Sequence, residues 1–202
     1  MSREDGVIRY MEKRYGKTFT CEGEVHGMFG SKSITVRLNC QDHPEMPVLA
    51  SYLEKDGAVY YGDNFPAVYF HKEACGQLQQ AVDAVFANVR LYFKVPDVVL
   101  PVEDPKLYTL KDYMTDPLAF KSVRILAKEA LDENSFQALM ETFGRAGIAV
   151  KGIAAVPADW NAVSALTEKT VDDFLANADN VQTQVIFKYE KGTIVTERWR
   201  KS

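Results

Sequence analysis

The 202-residue chain has no apolar run long enough to cross a bilayer as a helix, which takes about twenty such residues. It also shows no charged-then-apolar leader, because Met1 is followed by Ser2-Arg3-Glu4-Asp5-Gly6. The location expected from the sequence as written is cytoplasmic; the alternative is extracytoplasmic, if an export signal precedes this sequence. Cysteine is scarce and odd in number (Cys21, Cys40 and Cys75), which excludes complete internal pairing and fits a reducing compartment better than a disulfide scaffold. A large excess of one charge is missing too. A net charge of −4 argues against a nucleic-acid binder that works by neutralising phosphates. Neither a Gly-x-Ser-x-Gly elbow nor a Cys-x-x-Cys pair occurs. Gly27-Met28-Phe29-Gly30-Ser31-Lys32-Ser33 lacks phosphate-loop spacing and precedes an alternating β-branched stretch, so it reads as a hairpin turn.

What is present is the composition of a folded chain, 47% apolar and 26% charged. Residues 3–15 carry Val7, Ile8, Met11 and Tyr15 on one helical side, with Gly16 placed to end the helix. Thr18–Val25, Ser33–Cys40, Pro47–Leu53 and Ala58–Tyr61 follow as strands, with Lys55-Asp56-Gly57 as a turn and Gly62-Asp63-Asn64 as a break. Leu78, Val82, Val85, Phe86 and Val89 then have the spacing of one buried helical stripe. From Val89 the period changes to two, through Leu91, Phe93 and Val95, as in a half-buried strand.

Residues 96–118 hold four of the eight prolines, Pro96, Pro101, Pro105 and Pro117, and read as an extended connection with one short helical turn at Tyr108–Met114. The second half opens with a strand over Val123–Lys128. A helix capped within Asp132–Asn134 follows, bearing Phe136, Leu139, Met140 and Phe143. Ile148–Val156 is another strand, and a second amphipathic helix carries Leu166, Thr170, Val171, Phe174 and Leu175. The end is a hairpin, Val181–Tyr189 and Thr193–Arg200, turning at Glu190-Lys191-Gly192. The expected fold is therefore α+β, with antiparallel sheets each covered by helices. Its two small halves are 1–97 and 119–202, joined by the proline-rich connection 98–118.

Tyr10-Met11-Glu12-Lys13-Arg14-Tyr15-Gly16-Lys17-Thr18-Phe19 resembles the opening of certain small uncharacterised bacterial α+β proteins. So does Lys55-Asp56-Gly57 followed by Asp63-Asn64-Phe65 before an amphipathic helix. The resemblance covers the N-terminal half and implies a helix ahead of a strand meander. Many such proteins resemble secreted or lipid-anchored domains, whereas this sequence shows no signal segment. The resemblance implies no known chemistry.

Two sets of residues are candidates for function. Cys40-x-x-His43 and His71-x-x-x-Cys75 pair thiols with imidazoles, and two such pairs can close a tetrahedral zinc site. On a helix His71 and Cys75 share a face. The alternative is a small buried hydrophobe at Cys75 and histidines in loops. The second set is aromatic. Tyr60, Tyr61, Phe65, Tyr69 and Phe70 form the densest such patch, and Trp199 lies in the basic stretch Arg198-Trp199-Arg200-Lys201. Aromatic residues favour recognition surfaces and also sheet–helix cores. Asp172 and Asp173 are helix neighbours facing different ways, and Glu129, Asp132 and Glu133 suit a helix N-terminus, so neither group reads as an acid/base pair. The function expected is a non-enzymatic binding or interaction protein for another protein or a small ligand, with no cofactor and with self-association left open. The alternative is a Cys/His enzyme, metal- or thiol-dependent, with zinc as its metal.

Overall fold

The computed structural model describes residues 2–26, 32–96, 99–100, 102 and 104–201. The turn expected at Gly27-Met28-Phe29-Gly30 lies outside the described residues, as do positions 97–98, 101 and 103 of the proline-rich stretch. The fold is α+β, in two compact units, each discontinuous in sequence. Unit 1 comprises Met1–His71 with Val95–Tyr113, and unit 2 comprises Lys72–Lys94 with Met114–Ser202. Residues 72–94, which sequence order places with the N-terminal half, thus cluster with the second unit.

Unit 1 begins with helix α1 (Arg3–Tyr15). Its N-terminus is closed by a reciprocal box: the Asp5 amide donates to the Ser2 hydroxyl at 3.1 Å, and the Ser2 amide to the Asp5 carboxylate at 3.0 Å. Its C-terminus stops at Gly16, whose φ of 63° aims its N–H back at the Glu12 carbonyl. Val7 and Met11, one turn apart, are fully buried, and each contributes roughly 1.5–3 kcal/mol by leaving water. They pack on a meander of β1 (Phe19–His26), β2 (Ser33–Cys40), β3 (Val48–Lys55) and β4 (Ala58–Asp63), antiparallel in that order. Alternation along β2 buries Ile34, Val36, Leu38 and Cys40 on the face that α1 covers. Asp56 and Gly57 join β3 to β4 with φ of 53° and 76°, the pair of left-handed residues that a two-residue hairpin turn requires.

After β4 the expected amphipathic helix is divided. A short helix α2 (Phe65–Tyr69), with Pro66 in its first turn, ends at Phe70, and α3 (His71–Asp83) starts afresh. α3 buries Ala74, Leu78, Ala81 and Val82, so the stripe is real but the helix stops short of Val85.

Among the described residues, unit 2 is a five-stranded sheet in the order β5 (Val89–Lys94), β6 (Lys121–Ala127), β7 (Val150–Pro157), β8 (Val181–Glu190), β9 (Thr193–Lys201). Three of its pairings are antiparallel, but β6 and β7 run parallel. The reason lies in what joins them: helix α5 (Glu133–Arg145), boxed at Asp132 and Ser135, carries the chain back so that β7 restarts in the direction of β6. α5 lays Phe136 and Phe143 over Phe187 of β8, at ring distances of 5.7 Å and 6.5 Å. A second cluster on the sheet gathers Tyr92, Leu126, Ala155, Val163, Val171, Leu175 and Val181. Its cover is less regular than expected. Trp160–Ala165 form a 3₁₀ turn, and the helix α6 (Val171–Ala176) has only six residues. Between them Thr170 Oγ1 accepts from the Thr167 amide at 3.0 Å, a local bond that competes with helix formation. The helix α4 (Leu110–Thr115) follows the connection and buries Tyr113 and Met114.

Two features of unit 2 set its stability. A Cβ at Gly152 would lie 2.1 Å from the Val123 carbonyl oxygen, so the parallel pairing needs a bare backbone there. Gly152→Ala is expected to cost about 2–3 kcal/mol or more by forcing β6 and β7 apart. Trp160 and Trp199 both lie in unit 2, so tryptophan-monitored urea unfolding reads this directly. Lys121 is fully buried, its ammonium donating to the Ala119 carbonyl at 2.8 Å, and burial pushes its pKa down to about 7. Between about pH 7 and the ordinary lysine value, folding then expels a proton from Lys121. Stability is expected to rise as pH climbs from about 7 towards the ordinary lysine value, and Lys121→Met to flatten that rise.

Candidate functional site

The last turn of α1 and the junction between β4 and α2 build a site in unit 1. Asp63, at the end of β4, is 2% exposed. Its Oδ1 accepts from the Tyr15 hydroxyl at 2.7 Å and the Phe65 amide at 3.0 Å; its Oδ2 lies 3.5 Å from the Tyr10 hydroxyl and 3.8 Å from Arg14 Nε. Arg14 also donates to the Val102 carbonyl. Asn64 is as deeply buried: its Oδ1 accepts from the Leu49 amide at 2.8 Å, and its Nδ2 donates to the Pro96 carbonyl at 3.2 Å. The chain returning from Pro96 is further held by the Leu100 amide on the Asp63 carbonyl at 2.8 Å. Desolvation pushes the Asp63 carboxyl above its ordinary range, against the Tyr15 hydroxyl, the Phe65 amide and Arg14. Burial and the Asp63 charge push the Tyr10 phenol up to about 12, and Tyr15 higher still, so both stay protonated at neutral pH.

This network shapes a cleft of about 670 Å³. Lys13, Arg14, Tyr15, Gly16 and Lys17 line it from the end of α1; Phe65, Pro66, Tyr69 and Phe70 from α2; Pro105, Lys106, Tyr108, Thr109 and Leu110 from the returning segment. The aromatic wall is continuous, since the Phe65 ring lies 4.6 Å from Tyr15 and 6.2 Å from Tyr69, and Phe70 lies 5.0 Å from Tyr69 and 6.4 Å from Tyr108. Among the described residues four cations line the cleft and no carboxylate does. Arg14 is committed to Asp63 and Val102, and Lys17 pairs with Asp42 at 2.5 Å. Lys13 and Lys106 are exposed, and among the described residues no ion pair holds them. The negative end of the α1 dipole falls here too, and Lys13 and Arg14 in the last turn offset it.

Of the aromatic residues singled out from the sequence, Phe65, Tyr69 and Phe70 meet in this cleft. Phe65 is a buried wall, while Tyr69 is 51% exposed. Tyr60 stands exposed on β4, paired across the sheet with Leu53. Tyr61 stacks on Tyr10 at 4.6 Å. Trp199 sits on β9 in unit 2, its ring edge-on to Phe136 at 5.4 Å. Of the Cys/His pairs, Cys40 is fully buried in the core under α1, and the His43 ring lies 5.9 Å from Phe65 and 6.1 Å from Tyr69. His71 and Cys75 are half-buried one turn apart on α3, and burial raises the Cys75 thiol pKa. Among the described residues no three His, Cys, Asp or Glu side chains gather as a metal ion requires. Sequence reading missed Lys13, Lys17, Lys106 and Tyr108 as site residues. The signal available was the basic run closing α1, which there reads only as a helix end.

No family model matches the chain, and no curated protein matches it. Among solved structures it is similar to a DUF5037 family protein from Ruminococcus gnavus ATCC 29149, a protein of unknown function. The likeness covers 96% of this chain and 95% of that one, at 13% identity and a TM-score of 0.49. It brings no activity to the cleft.

Asp63→Ala strands the Tyr15 hydroxyl, the Phe65 amide and the Arg14 charge, and is expected to destabilise unit 1 by about 2–4 kcal/mol. Asp63→Asn keeps an acceptor and should cost less. Because folding raises the Asp63 pKa, this group's contribution falls as pH rises through the window just above its ordinary value, and the Asn variant removes that slope. Amide exchange at Phe65 and Leu100 across acidic pH measures both effects.

Proposed function

We propose that the chain is a non-enzymatic binding protein whose unit 1 cleft takes a small anionic ligand with an aromatic or apolar part. The observation that carries this reading is the pairing of two uncommitted ammonium groups, Lys13 and Lys106, with a wall of Phe65, Tyr69, Phe70 and Tyr108. An aromatic wall contributes apolar contact over a wide area, and the lysines select a negative group at its rim. The cleft volume falls in the range of small-molecule sites, roughly 300–1,000 Å³. The lining offers the Tyr15 phenol, held protonated, with ammonium groups and one guanidinium, chemistry suited to holding an anion. A thiol-dependent enzyme needs a thiolate of lowered pKa open to substrate. Cys40 lies in the apolar core and the Cys75 pKa moves upward, which supports the binding reading over that one.

Calorimetric titration with phenyl phosphate, inorganic phosphate and benzyl alcohol tests the proposal. Phenyl phosphate is expected to bind at least tenfold more tightly than either fragment, and more weakly as salt rises. Lys13→Glu with Lys106→Glu should abolish that preference, and Tyr69→Ala should weaken phenyl phosphate about tenfold, a loss of roughly 1.4 kcal/mol. Equal binding of phenyl phosphate by all three proteins, or by none, overturns the reading.

A further inference from the structure

The register of the five-stranded sheet lines up cations on the face that α5 does not cover. Along one row of cross-strand partners run Lys94, Ser122, Lys151 and Lys188, on β5, β6, β7 and β8. Two residues further along each strand, the next row on the same face holds Arg124, Ile153, Ile186 and Arg198, on β6 to β9. The cover on this face ends at α6. There Asp172 reaches down between the strands, with Arg124 Nε 2.6 Å from Oδ1 and the Lys94 ammonium on Oδ2. Beyond Asp172 the rows are open. Lys151 and Arg198 are exposed, no ion pair holds either among the described residues, and Ile186 between them is 45% exposed. Lys188 meets Glu190 at the strand end, at 3.2 Å, and the Phe120 ring.

We propose that this open sheet face binds an acidic polypeptide segment, one that lays carboxylates on Lys151 and Arg198 and an apolar side chain on Ile186. Charge complementarity argues for it, and the fold already displays the interaction once, in the carboxylate of Asp172 seated between two cations of these rows. The mixed pattern argues for polypeptide rather than nucleic acid. Single-stranded nucleic acid is held on sheet faces by stacking aromatics, and the open part of these rows presents isoleucine instead. Strands lie about 4.8 Å apart, so β7, β8 and β9 together span about 10 Å, which about three residues of extended chain cross and a segment of about six overhangs at both ends.

The test is fluorescence anisotropy on the full chain with a labelled peptide alternating glutamate and leucine over about six residues. Parallel titrations use a single-stranded oligonucleotide of equal charge and a peptide with lysine in place of glutamate. The glutamate peptide is expected to bind best, at least tenfold more weakly to the Lys151→Glu, Arg198→Glu double variant, and several-fold more weakly to Ile186→Ser. These are surface positions, and an unchanged tryptophan-monitored unfolding midpoint shows that each variant still folds. No binding of the glutamate peptide by the parent chain, or equal binding by the variants, overturns the proposal. Tighter binding of the oligonucleotide overturns it in favour of nucleic acid. A parent-chain dimer in sedimentation that the double variant dissolves overturns it in favour of a second copy as the occupant of this face.

Discussion

A carboxylate withdrawn from water has to be satisfied by the chain around it, and in unit 1 that obligation falls on Asp63. The partners of its carboxylate come from α1 and from the first residue of α2, and its main-chain carbonyl takes the Leu100 amide of the returning segment, three stretches that are far apart in sequence. Asn64 does the same for β3 and Pro96. Two adjacent polar side chains therefore perform the joining that apolar contact alone would leave loosely directed. A hydrogen bond fixes direction as well as distance, so the end of α1 and the start of α2 are held at one angle. The cleft is the space left between elements fixed in this way, and its cations and rings inherit their placement from a group that does not line it.

The two units solve the covering of a sheet differently. In unit 1 one face is closed by a single capped helix, and the buried stripe of β2 has a simple period. In unit 2 one face is closed by α5 and the other only in part, by a 3₁₀ turn and a six-residue helix. That incomplete cover leaves charged rows in water. It is also why Gly152 matters so much: the parallel pair sits at the middle of the sheet, where neither neighbour can move aside.

Local structure was largely legible in the sequence, because it depends on residues close together. The alternation in Ser33–Cys40, the caps at Gly16 and Asp132 and the turns at Asp56-Gly57 and Lys191-Gly192 each rest on chemistry within a few positions. What stayed hidden depends on long-range pairing. Nothing local states that β5 pairs with β6 across the proline-rich stretch, or that β6 and β7 are parallel. The cleft was hidden for the same reason. Lys13, Phe65 and Lys106 belong to segments that read separately as a helix end, a helix start and a connection. Asp63 and Asn64 read as a strand break, since the same residue types that interrupt a ladder when exposed can organise a junction when buried.

The interleaving of the units has a bearing on how the chain is made. A ribosome releases Met1–His71 before Val95–Tyr113, and between them it releases Lys72–Lys94, whose strand must wait for Lys121–Ala127. Until Pro96, Leu100 and Val102 emerge, Asn64, the Asp63 carbonyl and Arg14 each lack a partner that the finished fold supplies. The nascent N-terminal meander thus carries its most polar junction half-assembled while β5 is already out and unpaired. Unit 1 is whole only once Tyr113 has emerged, and Lys72–Lys94, though made earlier than its last segment, belongs to the unit that is completed last.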